Sequence, residues 1–413
     1  MVSGAAAESV RTQHTRPGFL RCRTVPLVVA VAAGCAGSDT GARWTTTDSA
    51  GIEIVSSTGT PPRWDLDPEP LLQLGSMDAP GPMQFYRVVD VELLPDGGLV
   101  VANEGSEELR VFAADGAFLG SAGREGHGPD EFDGLAMVES YGDSLMTWDE
   151  GNQRISVRSL DGRLVRTFQL EWFDGILSPV DLLGGTGIAG QTGILARTAR
   201  YMSQLRGTGF VVDTALVSVY AMDGALVDSL VRVPHNARAV MRVGDLQTTL
   251  GLPYTAHAAI AGTNRGFCHA FGVEPVIRCR DRAGLRRLIR LDLPHRPLTE
   301  SDIDRFWSEA LETTNERRRS ALNRMRDAMP FPDAFPAFAQ LVRDDDGRLW
   351  ARRYRATADE QEDWLVLEDG RWIARVASPI GFRVMDVRGD RLAGVWQDSL
   401  DVEFVRVYRY RAK

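Results

Sequence analysis

Lysine is almost missing from this chain: of its 47 lysine and arginine residues only Lys413 is a lysine. Acidic residues outnumber basic ones and leave a net charge of −9. That balance argues against a surface for nucleic acid or anionic lipid headgroups. Histidine is scarce, with six residues. Those beyond the leader (His127, His235, His257, His269 and His295) fall on separate stretches with neither His-x-His nor His-Glu-x-x-His spacing. There is no Gly-x-Ser-x-Gly elbow and no Ser-His pairing for nucleophilic catalysis. The Gly-rich stretch 120–128 leads into a strand pattern, whereas a phosphate cradle needs a following helix. Past the first 35 residues no apolar run reaches the roughly 20 residues that a membrane-spanning helix requires. These absences remove the common catalytic and membrane-spanning classes and leave a folded chain of ordinary composition, 44% hydrophobic and 25% charged.

What is present is a repeat. Ala102-Asn103-Glu104-Gly105, Val111 and Asp115-Gly116 recur 46 positions later as Trp148-Asp149-Glu150-Gly151, Val157 and Asp161-Gly162. Two short apolar runs closed by an Asp-Gly turn, at this period, mark a propeller or solenoid. If each unit is four strands, a to d, six a–b turns can be read at 95–98, 142–143, 184–185, 262–264, 345–347 and 389–390. Five c–d turns follow at 115–116, 161–162, 223–224, 283–284 and 369–370. Asp and Gly dominate because tight hairpins need positive φ.

Six against five means that the last unit lacks a d strand. The run 71–75 precedes Gly81-Pro82 as 120–123 precedes Gly128-Pro129, so it is expected to supply the missing strand. Such closure protects sheet edges. The upstream run Ile52–Val55 is expected to add a further strand to that same blade. The expectation is therefore an all-β, six-bladed β-propeller over 51–413, closed by an N-terminal strand. Two interruptions are expected: a long loop or extended hairpin around 193–212, and one inserted α-helical segment at about 299–329. Thr299 and Asp302 form its cap pattern, and Ile303, Phe306, Trp307, Ala310, Leu311, Leu322 and Met325 recur at helical spacing. That stripe is expected to lie across one face of the ring; a lid over the central channel is the sharper alternative.

Residues 1–35 have the layout of an export signal: Arg11, Arg16, Arg21 and Arg23, then an apolar run from Val25 to Ala33. Its end, Val31-Ala32-Ala33-Gly34-Cys35, resembles the lipobox of bacterial lipoproteins. The resemblance implies lipidation of Cys35, with 36–50 as a flexible tether. Ala36, in place of Asp, points towards the outer membrane. Of the four cysteines, Cys268 and Cys279 remain. They lie symmetrically about the turn Gly272–Pro275, which would place them opposite one another in a hairpin and permit a disulfide in an exported compartment.

The junction Gly123-Arg124-Glu125-Gly126-His127-Gly128-Pro129-Asp130-Glu131-Phe132 resembles the inter-blade loop of exported six-bladed β-propeller proteins related to NHL-repeat proteins. Asp346-Gly347-Arg348-Leu349-Trp350 and Leu392–Trp396 with Val402–Tyr408 extend the likeness over roughly 50–410. The resemblance implies fold and envelope location and carries no catalytic residues onto this chain. The expected function is a lipid-anchored scaffold or binding module for an envelope protein, peptide or carbohydrate, without nucleic acid and without a resident cofactor. The alternative is a lactonase-like, metal-dependent hydrolase or lyase, with a divalent ion held in the channel by Asn103, Asp149 and Asp90 or by convergent histidines. One face of the ring is expected to bring His127 and His257 near each other. The run Asp344-Asp345-Asp346-Gly347 lacks the alternation of a calcium loop and fits a hairpin turn.

Overall fold

The structure, a computed structural model, describes residues 41–76, 81–171, 176–183, 193–199, 209–243, 246–255, 257–264, 266–312, 316–326, 329–357 and 360–412. Four N-terminal strands come first: β1 (Arg43–Ser49), β2 (Ile52–Thr58), β3 (Asp65–Leu66) and β4 (Leu72–Leu74). Blade one is β5 (Val88–Leu93), β6 (Leu99–Asn103), β7 (Glu108–Phe112) and β8 (Phe118–Ala122). Blade two is β9 (Leu135–Tyr141), β10 (Ser144–Asp149), β11 (Arg154–Ser159) and β12 (Leu164–Phe168). Blade three is β13 (Ile176–Leu183), β14 (Gly193–Ala199), β15 (Gly209–Ala221) and β16 (Leu226–Val243), extended by β17 (Leu246–Gly251). Blade four is β18 (Ala259–Thr263), β19 (Gly266–Ala270), β20 (Val276–Asp281) and β21 (Gly284–Leu291). Blade five is β22 (Phe338–Arg343), β23 (Leu349–Arg353), β24 (Asp363–Glu368) and β25 (Arg371–Ala377). Blade six is β26 (Phe382–Arg388), β27 (Arg391–Gln397) and β28 (Glu403–Arg411).

The first strand of each blade packs on the first strand of the next, and β26 returns to β5, so the sheets close into a six-bladed ring. The turns form as their residues dictate. Gly116 and Gly162 take φ of +86° and +88°, and the preceding aspartates accept from Ala117 (3.0 Å) and Arg163 (3.3 Å). The a–b turn expected at Gly184-Gly185 lies outside the described residues. Burial is concentrated between blades, in one apolar layer for each of the six junctions. Leu99, Phe112, Ala393 and Val405, for example, fill the junction of blades one and six.

Blade six is completed as expected. Strand β4 pairs antiparallel with β28, Leu74 opposite Val405 and Leu72 opposite Val407. Strand β3 continues the same edge, Leu66 opposite Tyr410, and Trp64 stacks on Tyr410 with centroids 5.4 Å apart. The expectation for Ile52–Val55 is corrected. These residues lie in β2, which runs parallel to β21 on the rim of blade four, Ile54 opposite Leu288. A strand carries its own backbone donors and acceptors but nothing in it selects among the exposed edges of a ring, and the edge of β21 takes it. Between the two sites the chain crosses blade five, where Trp64 N donates to Arg375 O (2.9 Å) and Arg375 N to Pro62 O (3.0 Å).

The stretched third unit is an extended hairpin. Strands β15 and β16 stay paired from Tyr220–Leu226 out to Gly209–Val240, well beyond the length of the neighbouring strands. The inserted segment contains two helices, α1 (Glu300–Glu312) and α2 (Glu316–Met325). Thr299 caps α1 by accepting from Asp302 N (3.3 Å), and Asp302 returns by accepting from Thr299 N (3.0 Å). Trp307 and Leu322 are buried with Phe306 and Leu311 against Ala237, Ala239 and Leu252. The apolar stripe is thus spent on the hairpin extension of blade three.

Candidate functional site at the loop face

Inner strands carry the first chemically distinctive residues. A bulge interrupts β5, β13 and β26 just before Asp90, Asp181 and Asp386. Each aspartate then reaches the next blade: Asp90 Oδ2 accepts from Val138 N (3.0 Å), Asp181 Oδ2 from Gly262 N (2.6 Å) and Asp386 Oδ2 from Leu93 N (2.8 Å). A bulge frees the backbone N–H groups that such a side chain can satisfy. Two steps along β5, Glu92 accepts from Ser140 N (3.0 Å) and pairs with Arg388 (3.3 Å), which also donates to Ser140 Oγ (2.8 Å). Burial raises the carboxyl of Asp90 to about 7, against the partial relief of its two backbone donors. Burial first, and mutual repulsion second, push Glu92 well up; burial also raises Asp386. Three carboxyl groups with suppressed ionisation therefore line the inner strands.

Loops after the b strands and the connections between blades share one face of the ring, because strands a and c both start there. On that face, beside blade three, a basic cluster forms. Arg197 comes from β14, His235, Asn236 and Arg238 from the extended part of β16, and His257 from the connection into blade four. The two histidine rings lie 5.9 Å apart. The connection is held in place by Ala258 N donating to His235 O (2.8 Å). With its amide oriented to satisfy both ends, Asn236 donates to His235 O (3.0 Å) and to His257 Nδ1. Its oxygen then accepts from His235 Nε2 (3.2 Å) and Arg238 Nη2 (3.0 Å). These bonds assign the tautomers: both rings carry the proton on Nε2. His235 is 5% exposed, and its Nδ1 is left without a hydrogen-bond partner.

Burial pushes His235 down to about 3, helped by the positive charges of Arg197 and Arg238 and by His257. Burial also lowers His257, reinforced by Arg197 and Arg238, so both rings are neutral at neutral pH. Burial lowers Arg197 itself, and the exposed Glu150 opposes that shift. The cluster thus brings together a partly desolvated guanidinium, a neutral imidazole donor and a buried imidazole acceptor.

The other residues singled out from the sequence are dispersed. Cys268 and Cys279 face one another across β19 and β20, form a disulfide and have Cα atoms 3.9 Å apart. Cys35 and the whole leader lie outside the described residues. His127 is exposed and bonds Asn152 (2.9 Å) within the junction of blades one and two, so it is His235 that pairs with His257. His269 is buried beside Arg280 (3.3 Å), and burial lowers it to about 4. His295 lines a small cleft with Arg296, Phe335 and Arg353.

Asn103 and Asp149 occupy equivalent ends of β6 and β10, where they accept from Tyr86 N (2.9 Å) and Asp133 N (3.1 Å). They therefore serve the entry of each blade, apart from Asp90 on the inner strand. Asp344 and Asp346 clasp Arg348 across the blade-five turn, and Asp344 accepts from Trp350 Nε1 (2.9 Å). Among the described residues no group of three or more His, Cys, Asp or Glu is arranged to hold a metal ion.

No family model matches the chain, and no curated protein matches it in sequence. Solved structures that align with it include a candidate exported protein of Bacteroides fragilis, 11% identical over 87% of this chain and 100% of that one, with a TM-score of 0.47. A member of the DUF4221 family from Bacteroides vulgatus is 9% identical over 85% and 99%, with a TM-score of 0.46. Regucalcin of Agrobacterium tumefaciens, a calcium-binding protein, is 11% identical over 85% and 97%, with a TM-score of 0.37. At these identities and scores none of them speaks to ligand or activity.

Proposed function

We propose that this chain is an exported β-propeller held to the cell envelope by a lipid on Cys35, and that it acts as a binding module. Its ligand would be taken at the loop face, where long connections meet on a rigid ring. The observation that carries the reading is the Arg197–His235–His257 cluster, in which the buried Nδ1 of His235 has no hydrogen-bond partner. The signal-like leader and the Cys268–Cys279 disulfide agree with an oxidising, exported setting. A metal-dependent hydrolase would need a convergent ligand set, which Asn103, Asp149 and Asp90 do not supply. Metabolic labelling with a radioactive fatty acid tests the anchor. Label on the wild type and none on Cys35→Ser is expected, with the protein in the membrane fraction. An unlabelled wild type sinks the anchor. Stoichiometric zinc or calcium in purified protein would reinstate the metal-dependent alternative.

A further inference from the structure

We propose that the side-chain cluster of Arg197, His257 and His235 takes a hydroxylated oxyanion, a small molecule with a carboxylate or phosphate group next to a hydroxyl. The inference rests on the binding reading above and specifies its ligand class.

The argument runs from donors and acceptors. Arg197 offers a planar fork suited to two oxygens of a carboxylate or phosphate. Glu150 is the acidic group that acts on it electrostatically, and Glu150 is exposed, where its field is screened. A partly desolvated cation is stabilised by an incoming anion. His257 uses Nδ1 to accept from Asn236, so its Nε2–H is the second donor. His257 is an exposed residue, and that proton is the donor its ring has left to offer.

His235 plays the opposite part. Its Nε2–H is occupied by Asn236, and its Nδ1 lone pair is buried without a donor. An unmatched buried acceptor costs about 1–3 kcal/mol, and a hydroxyl hydrogen would satisfy it. An anion without a hydroxyl hydrogen leaves His235 Nδ1 unanswered, whereas a neutral sugar leaves the Arg197 charge uncompensated. The combination calls for both groups on one molecule. Asn236 acts as a positioning residue, since it fixes both ring tautomers at once.

Isothermal titration of the chain freed of its leader and anchor, residues 36–413, with gluconate, glucose 6-phosphate, glucose and inorganic phosphate separates these cases. One or both of the hydroxylated anions should bind at least about tenfold more tightly than glucose or phosphate, and the preferred one identifies the anionic group. Arg197→Gln should weaken that binding at least about tenfold, with Arg197→Lys in between; the lysine variant guards against misfolding. His235→Phe should erase the preference for hydroxylated over simple anions. Long-range nitrogen–proton spectra give a second readout. Both rings should show the Nε2–H tautomer when free and shift on ligand addition.

Glucose binding as tightly as gluconate, unaffected by Arg197→Gln, overturns the ligand class and leaves the binding reading standing. Silence of all four probes with unmoved histidine resonances also overturns it. A protonated His235 or an Nδ1–H tautomer at neutral pH removes its premise. The lipid-labelling result is independent of all these outcomes.

Discussion

Asp90 is held half-buried on an inner strand, with both carboxyl oxygens turned to backbone N–H groups, one of them in the neighbouring blade. Its folded-state value near 7 lies above the ordinary 3.8, so the folded protein binds a proton that the unfolded chain has released. The stabilising contribution of this group is therefore complete below about pH 4 and is lost as pH rises through 7, worth at most about 4 kcal/mol. Urea midpoints measured at pH 5, 6, 7 and 8 should fall with pH, and Asp90→Asn should flatten that trend. The variant should also lose about 1–3 kcal/mol at pH 5, because an amide turns a donor towards one of the two N–H groups. An unchanged slope would show that other carboxyl groups set the pH response. The sequence carries a sign of these side chains. Val89-Asp90-Val91, Val180-Asp181-Leu182 and Met385-Asp386-Val387 repeat a lone acid between apolar neighbours shortly before an a–b turn. The histidine pair left no such sign, since residues 235 and 257 meet only because β16 overruns its blade.

At the scale of elements, turns and strand pairs were the legible part. Asp-Gly pairs marked the hairpins, and equal spacing about the turn at 272–275 placed Cys268 opposite Cys279. Partner choice was not legible where backbone hydrogen bonding decides, as for β2 on the rim of blade four. The helices are a different case: period and cap predicted them, yet their partner is the elongated hairpin of blade three. Trp307 is 2% exposed and touches Phe306 and Phe331 edge-on, at 5.2 and 6.3 Å. Trp307→Ala should remove about 3–5 kcal/mol of packing from this outlying unit. Because the unit has its own apolar cluster, the loss should appear as local opening. Hydrogen exchange should quicken across residues 300–325 while β6, β10 and β23 keep their protection. Equal acceleration in those strands would mean that the helices and the ring unfold together.

The whole molecule depends on a junction between distant parts of the chain, with Gln73 and Arg406, 333 positions apart, bonded side by side (2.8 Å). Pairing at such separation slows folding, because a long loop must be ordered before the contact forms. A permuted chain that starts at Gly81 and carries residues 65–76 after Arg411 through a short turn would make blade six a local meander. It should reach the same ring and refold faster in stopped-flow fluorescence; an unchanged rate would place the slow step elsewhere.

The crossing of blade five by residues 59–64 has a mechanical corollary. A pull applied at the N-terminal side reaches β2 before it reaches β4. Under a pull along the strands, the parallel pairing of β2 with β21 would act as a clutch, loaded along its length rather than peeled bond by bond. Tension from a tether would be absorbed at the outer rim of blade four, and the closing seam of the ring would be sheltered from it.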